Sequence, residues 1–240
     1  MKDWIYDEFR HVGVDYSEKN AAASYDDQME RFRDYEGEVA AFIEKLRHPD
    51  IGGAIAVDVG CGTGAFCLAA SKYFKRVHAV DVSEEMLNVA SKKAALKHIE
   101  NITFHNAGFL SFQPKEKADV VCAKWALHHL PDYWKQAALL KINAMLKAGG
   151  ALFLTDLVFS FSPDLDNAIE TLLSHVAENH AEDFLEETKT HIREEFSTFD
   201  WILRGLIERA GFRIENVMED RLASEYFCRK ITSFEGGIER

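Results

Sequence analysis

Residues 57–64 read Val-Asp-Val-Gly-Cys-Gly-Thr-Gly, with glycine at every second position from Gly60 to Gly64, and this run constrains the fold more than any other part of the chain. It follows a short apolar stretch, residues 54–59, that predicts a buried strand, and it precedes a helical pattern over residues 65–74. A side chain at Gly60 or Gly62 would collide with a ligand lying over the strand end, so the spacing suits close approach of backbone to ligand. The helix start at Gly64 adds unpaired N–H groups and the positive end of a dipole, which suit a carboxylate or phosphate. A tight βα turn without a ligand is the alternative reading of the same residues.

Short apolar runs and helical patterns then alternate. Residues 77–81 predict a second strand, and Ser83 with Glu84 and Glu85 behind it predicts a capped helix running to about residue 97. Further strands are expected at 102–105, 119–123 and 151–157, with a helix at 132–146 closed by Gly149-Gly150. Strand then helix, repeated, implies an α/β fold: a parallel sheet with helices on both faces. After Pro163 the pattern becomes helical and acidic without strands, residues 199–210 predict a helix ended by Gly211, and 212–217 with 223–229 predict an antiparallel pair at the sheet edge. The first 50 residues show no strand signal. Residues 38–46 are amphipathic through Val39, Phe42, Ile43 and Leu46, and the aromatic stretch before them (Tyr16, Tyr25, Phe32, Tyr35) either packs on the sheet or covers a ligand as a lid. One domain is expected: a helical N-terminal arm (1–50), a ligand-binding core (51–160), an acidic helical insertion (161–199), and a C-terminal helix with edge strands (200–240).

Composition narrows the partners. The chain carries 28 basic and 40 acidic side chains, a net charge of −12, and residues 161–200 alone hold eleven carboxylates against Lys189 and Arg193. Polyanion binding needs clustered Lys and Arg, so a nucleic-acid substrate is disfavoured. The acidic run suits a cationic acceptor or is a solvated helix face. Four scattered cysteines without CxxC pairing fit a reducing compartment, and no stretch approaches the ~20 apolar residues of a membrane span, so a soluble cytoplasmic protein is expected. No His/Asp/Glu set shows metal spacing; His175 and His180 read as surface residues, and no metal is expected.

Asp81 ends the second predicted strand, where a carboxylate can accept hydrogen bonds from both hydroxyls of a ribose. Because Gly60-x-Gly62-x-x-Ala65 also satisfies the loose dinucleotide fingerprint, a nicotinamide cofactor fits these two features as well. Taken with residues 80–87 (Val-Asp-Val-Ser-Glu-Glu-Met-Leu), however, residues 57–64 resemble the class I S-adenosylmethionine-dependent methyltransferases, such as those of ubiquinone and menaquinone biosynthesis. The resemblance continues at Asn106-Ala107 with Leu110, at 119–131 (Asp-Val-Val-Cys-Ala-Lys-Trp-Ala-Leu-His-His-Leu-Pro) and at 146–152, and so spans residues 54–156.

The resemblance implies a Rossmann-like, seven-stranded, mostly parallel sheet whose last strand is antiparallel. It implies S-adenosylmethionine as methyl donor, released as S-adenosylhomocysteine (SAH). Gly60, Cys61, Gly62 and Gly64 would then line the methionine part, with Asp58 supporting the loop; Asp81 would meet the ribose, Val82 and Met86 the adenine face, and Asn106 and Ala107 its edge. Asn106 stands where this subfamily often carries Asp, but an amide both donates and accepts, so adenine recognition is expected to survive. Ala123, Lys124 and Trp125 would face the methionine and sulfonium; Trp125 lies near the sulfur or fills the core. A lysine charge would oppose the sulfonium, so the Lys124 side chain is expected to turn to solvent or substrate. His128 and His129 are the candidate catalytic bases, and Tyr25 and Arg33 would close over the cofactor from the arm. A small-molecule acceptor and a monomer or homodimer are expected. A protein or RNA acceptor, or a protein that binds the cofactor without methyl transfer, are the alternatives.

Overall fold

Five parallel strands form the floor beneath the glycine run: β1 (Ile55–Val59), β2 (Arg76–Asp81), β3 (Ile102–Asn106), β4 (Ala118–Lys124) and β5 (Leu146–Asp156). All five residues of β1 are buried, as a central parallel strand covered on both faces requires. The computed structural model describes residues 3–10, 12–13, 34–160, 162–179, 182–219 and 223–233. Two further short strands, β6 (Val158–Phe159) and β7 (Thr198–Phe199), form their own pair, and β8 (Phe212–Glu219) and β9 (Ser224–Lys230) complete the main sheet.

The main sheet has seven strands in the order β3-β2-β1-β4-β5-β9-β8. β9 runs antiparallel to β5 and to β8, so it alone opposes the common direction, as expected from the C-terminal pattern. The order reverses between β1 and β4, which leaves a crevice at their carboxyl ends, the place where open α/β sheets bind ligands.

Helices cover both faces: α1 (Tyr35–Leu46), α2 (Ala65–Ala70), α3 (Glu84–Leu96), α4 (Asp132–Met145), α5 (Leu165–Asn179), α6 (Glu182–Glu194) and α7 (Asp200–Arg209) among the described residues. The alternation of β1 shows how. Val57 and Val59 pack with Leu139, Ile142, Leu203 and Tyr226 on the α4/α7 side, while Ala56 packs with Val39, Phe42, Phe66 and Phe153 on the α1/α2 side. Phe42 is the hub of the second layer, its ring 5.0–6.3 Å from those of Phe66, Phe74 and Phe153. The predicted cap is present too, with Ser83 accepting from the Met86 N–H at 3.3 Å.

Three features differ from the sequence reading by more than a residue or two. α2 stops at Ala70. α4 ends at Met145, and Leu146 is already the first residue of β5. The Gly149-Gly150 pair sits inside β5, where pairing jumps from Ala118↔Leu146 to Val120↔Ala151; the glycines make a bulge, Gly149 at φ 70°, and not a helix stop. The third difference is the β6–β7 ladder, Val158↔Thr198 and Phe159↔Phe199, which pins the two ends of the acidic insertion together. Within it α5 and α6 are helical, as the pattern predicted. No helix among the described residues is long and apolar enough to cross a membrane.

Candidate active site

A cavity of about 460 Å³ opens at the carboxyl ends of β1, β2 and β4. Three parts of the chain wall it: the glycine run, a strap of the first residues carrying Glu8, Phe9 and Arg10, and the α6 face carrying Phe184, Thr188 and His191. The strap is tied down at several points. Tyr6 donates its hydroxyl to the His129 carbonyl at 3.3 Å, Glu8 accepts from the Leu110 N–H at 2.7 Å, and Trp4 stacks on Trp134 with ring centres 6.3 Å apart.

The three glycines all have left-handed backbone (φ 75°, 53° and 81°), but only one keeps space for a ligand. A Cβ on Gly60 would lie 2.3 Å from that of Ala126, and one on Gly64 would lie 2.8 Å from that of Ala90 in α3. A Cβ on Gly62 would meet nothing within 4 Å, because that position faces the cavity. Gly60, Cys61 and Gly62 thus line the wall, whereas Gly64 packs against α3 outside it.

Asp81 joins this loop to the end of β2. One carboxylate oxygen accepts from the Gly62 N–H and the other from the Ser83 N–H, each at 2.8 Å. Burial raises its pKa, and the backbone N–H groups only partly offset that. Asp58, Val82, Met86 and Ala107 also line the cavity. Asn106 does not: its amide donates to the Val82 carbonyl at 2.9 Å and the Asp81 carbonyl at 3.3 Å, tying β3 to β2 from outside. Ala123 is fully buried in the core beneath the site. Tyr25 and Arg33 lie outside the described residues.

Trp125 stands at the cavity wall, 37% exposed, with φ 56° and its N–H on the Thr155 carbonyl at 2.7 Å; it does not fill the core. Lys124 lines the cavity, but its ammonium does not turn to solvent: it meets the Glu38 carboxylate of α1 at 2.7 Å and lies 5.1 Å from the ring centres of both Phe66 and Phe153. The aromatic faces and Glu38 supply what water otherwise would.

The two histidines part company. His128 is buried; its Nδ1 lies 2.5 Å from Asp156 Oδ1 and its Nε2 3.1 Å from Glu195 Oε2. Burial alone would lower its pKa, but Asp156 and Glu195 outweigh burial and raise it. His129 is more open, and burial together with the neighbouring His128 charge lowers its pKa to about 4. Both line the cavity. His191, one helical turn before Glu195, bonds the same carboxylate. Ligand atoms of His128, His191 and Glu195 lie within 4.8 Å of one another, a grouping that the sequence reading did not single out.

Sequence reasoning missed the strap residues and Phe184, Glu187, Thr188, His191 and Glu195. The strap has no periodicity to read. The His191-x-x-x-Glu195 spacing, which puts both side chains on one helix face, was a usable signal.

Residues 56–150 match the family model described as a methyltransferase domain. An uncharacterized methyltransferase of Geobacillus thermodenitrificans is 28% identical over 196 residues, covering 80% of this chain and 86% of the relative. Among solved structures, a S-adenosylmethionine-dependent methyltransferase from Clostridium acetobutylicum superposes with a TM-score of 0.69 at 16% identity, over 89% of this chain and 98% of its own. The magnesium protoporphyrin IX methyltransferase of Synechocystis PCC 6803, solved with bound SAH, superposes with a TM-score of 0.60 at 16% identity, over 93% and 91%. Residues 56–150 thus match a methyltransferase domain, and the sheet that holds them has the fold of S-adenosylmethionine-dependent methyltransferases.

Proposed function

We propose that the protein transfers a methyl group from S-adenosylmethionine to a small-molecule acceptor held between the sheet, the strap and the insertion. The observation that carries this reading is one continuous cavity whose lining combines the glycine loop and Asp81 with the apolar side chains of Phe9, Leu130, Leu157 and Phe184. Asp81 takes the ribose hydroxyls on the lone pairs that the Gly62 and Ser83 N–H groups leave, and those contacts set its orientation in advance. Val82, Met86 and Ala107 flank the adenine. The open face of Gly62, with Asp58 and Cys61 beside it, receives the methionine part, and Trp125 stands at the sulfonium. Gly64, Asn106 and Ala123 act from behind by fixing the loop and strand ends, and Lys124 acts through its anchor on α1.

Methyl transfer is an in-line displacement at a carbon that the sulfonium already activates. The protein's work is alignment, exclusion of water and, for an oxygen or nitrogen nucleophile, a proton acceptor. His129 is the cavity-wall histidine that can face the acceptor, while His128, its Nδ1 bonded to Asp156 and its Nε2 3.1 Å from Glu195 Oε2, positions the wall. The enclosure by strap and insertion favours a small molecule over a protein or RNA acceptor.

Isothermal titration with S-adenosylmethionine, SAH and NAD tests the donor site. Binding of the first two without NAD is expected, and Asp81→Ala should weaken SAH binding by about 1–3 kcal/mol through lost hydrogen bonds. Selective binding of NAD, or unchanged SAH affinity in the variant, would overturn the assignment.

A further inference from the structure

We propose that His128, His191 and Glu195 hold a divalent first-row metal ion, of the zinc or ferrous iron type, at the cavity wall that His128 and His191 line. His128 Nε2 lies 3.1 Å from Glu195 Oε2, and His191 Nδ1 is directed at the same oxygen. Two imidazole nitrogens and a carboxylate oxygen therefore converge on one point, with all three ligand atoms within 4.8 Å of one another. Metal–ligand bonds of about 2.0–2.2 Å place neighbouring tetrahedral ligands about 3.3–3.5 Å apart, which small side-chain rotations reach from here. Two histidines and one carboxylate are a recurrent donor set for zinc and non-haem iron, and one that leaves positions open.

The surroundings support the same assignment. A histidine ligand usually donates its other ring N–H to a carboxylate that fixes its tautomer and orientation. His128 has that partner, Asp156 Oδ1 at 2.5 Å from Nδ1, and Asp156 is itself fixed by the Leu157 N–H at 2.9 Å. The ligands stand on firm supports: His191 and Glu195 are one turn apart at the end of α6, and the Phe196 N–H bonds the His128 carbonyl at 3.0 Å. Charge also fits, because two buried carboxylates, Asp156 and Glu195, balance a divalent ion; the nearby Lys135 is paired with Asp132 at 2.8 Å. His129, its Nδ1 3.9 Å from Glu195 Oε1, is placed to contribute on the cavity side. An ion here would offer its open position to an acceptor oxygen as a Lewis acid.

The test is metal binding by the intact 240-residue chain. After treatment with a chelator, the protein is titrated with Zn²⁺ and with Co²⁺, read by elemental analysis and by the visible absorption of tetrahedral cobalt. One ion per chain is expected, with no sulfur-to-cobalt charge-transfer band. His191→Gln, at a partly exposed helix position, should weaken binding at least tenfold, and Asp156→Asn should weaken it about 10–100-fold through the lost support of His128. SAH titration of each variant reports whether the fold and donor site persist, so a failed donor assignment and a failed metal site give different results. Absence of stoichiometric binding by the wild-type protein, or undiminished binding in a His191→Gln protein that still binds SAH, would overturn the proposal.

Discussion

Gly60, Gly62 and Gly64 share a left-handed backbone, yet each makes room for something different. Gly60 and Gly64 admit neighbouring alanines, and Gly62 alone leaves space in the cavity. Gly60→Ala should therefore cost more than the backbone strain of about 1–2 kcal/mol, because its Cβ would also collide with Ala126. Gly62→Ala should cost only that strain while lowering SAH affinity. Chemical denaturation and calorimetry on the two variants check the contrast, and equal losses of stability would contradict it. The importance of this run was legible in the sequence because glycine between a strand and a helix has few uses. Which glycine faced the ligand was not, since the answer depends on Ala90 and Ala126, which the chain brings back from other elements.

At the scale of elements, the link between α1 and β4 is the Lys124–Glu38 pair, whose side chains are 8% and 26% exposed. Glu38→Gln would leave an ammonium in a poorly solvated place. With the partial exposure of Glu38 taken into account, the expected loss is about 1–3 kcal/mol, below the 3–5 of a fully buried pair. Lys124→Met in the same chain should recover part of it, and a double-mutant cycle by denaturation measures the coupling; strict additivity would show that the pair contributes nothing. The central strands β1, β2, β4 and β5 were readable because their burial makes short apolar runs between glycines and helices, whereas the edge strands β3 and β8 are largely unburied and were read from their place in the pattern. The α4/β5 boundary was misread because a glycine pair marks a bulge as well as it marks a helix stop. The β6–β7 ladder was invisible, since two residues carry no period. Glu195 and His191 belong to the site only because α6 folds back over His128, a contact between segments more than 60 residues apart that no local pattern encodes.

For the molecule as a whole, acid is the expected weakness. His78 and His105 face each other across β2 and β3, ring nitrogens 2.9 Å apart, and burial lowers the pKa of both. The folded state thus prefers them neutral, so the stability they contribute is complete above the ordinary histidine value of about 6.5 and is lost as pH falls below it. Asp119 acts further down. Burial would raise its pKa, but the Ile55 N–H and Lys147, with His48 beside them, hold it below the usual carboxylate value. Its contribution is present above that usual value and disappears as pH drops through the lowered one. Loss of the −12 net charge on acidification works in the opposite sense by relieving repulsion, so the comparison must be between proteins. His105→Gln should flatten the decline of denaturation midpoint below about pH 6.5 while leaving the Asp119 step in place. An unaltered profile would remove the histidine pair from the account.

The two-residue ladder between β6 and β7 has an evolutionary consequence. It fastens both ends of the acidic segment at one spot beside β5, so the residues between form a closed cassette. Closing a longer loop costs only a slowly growing entropy, about 0.6 kcal/mol for each doubling, so cassettes of quite different length could be exchanged at this clasp without disturbing the sheet. The part of the cavity wall that α6 supplies can in this way change independently of the strands that carry the glycine run.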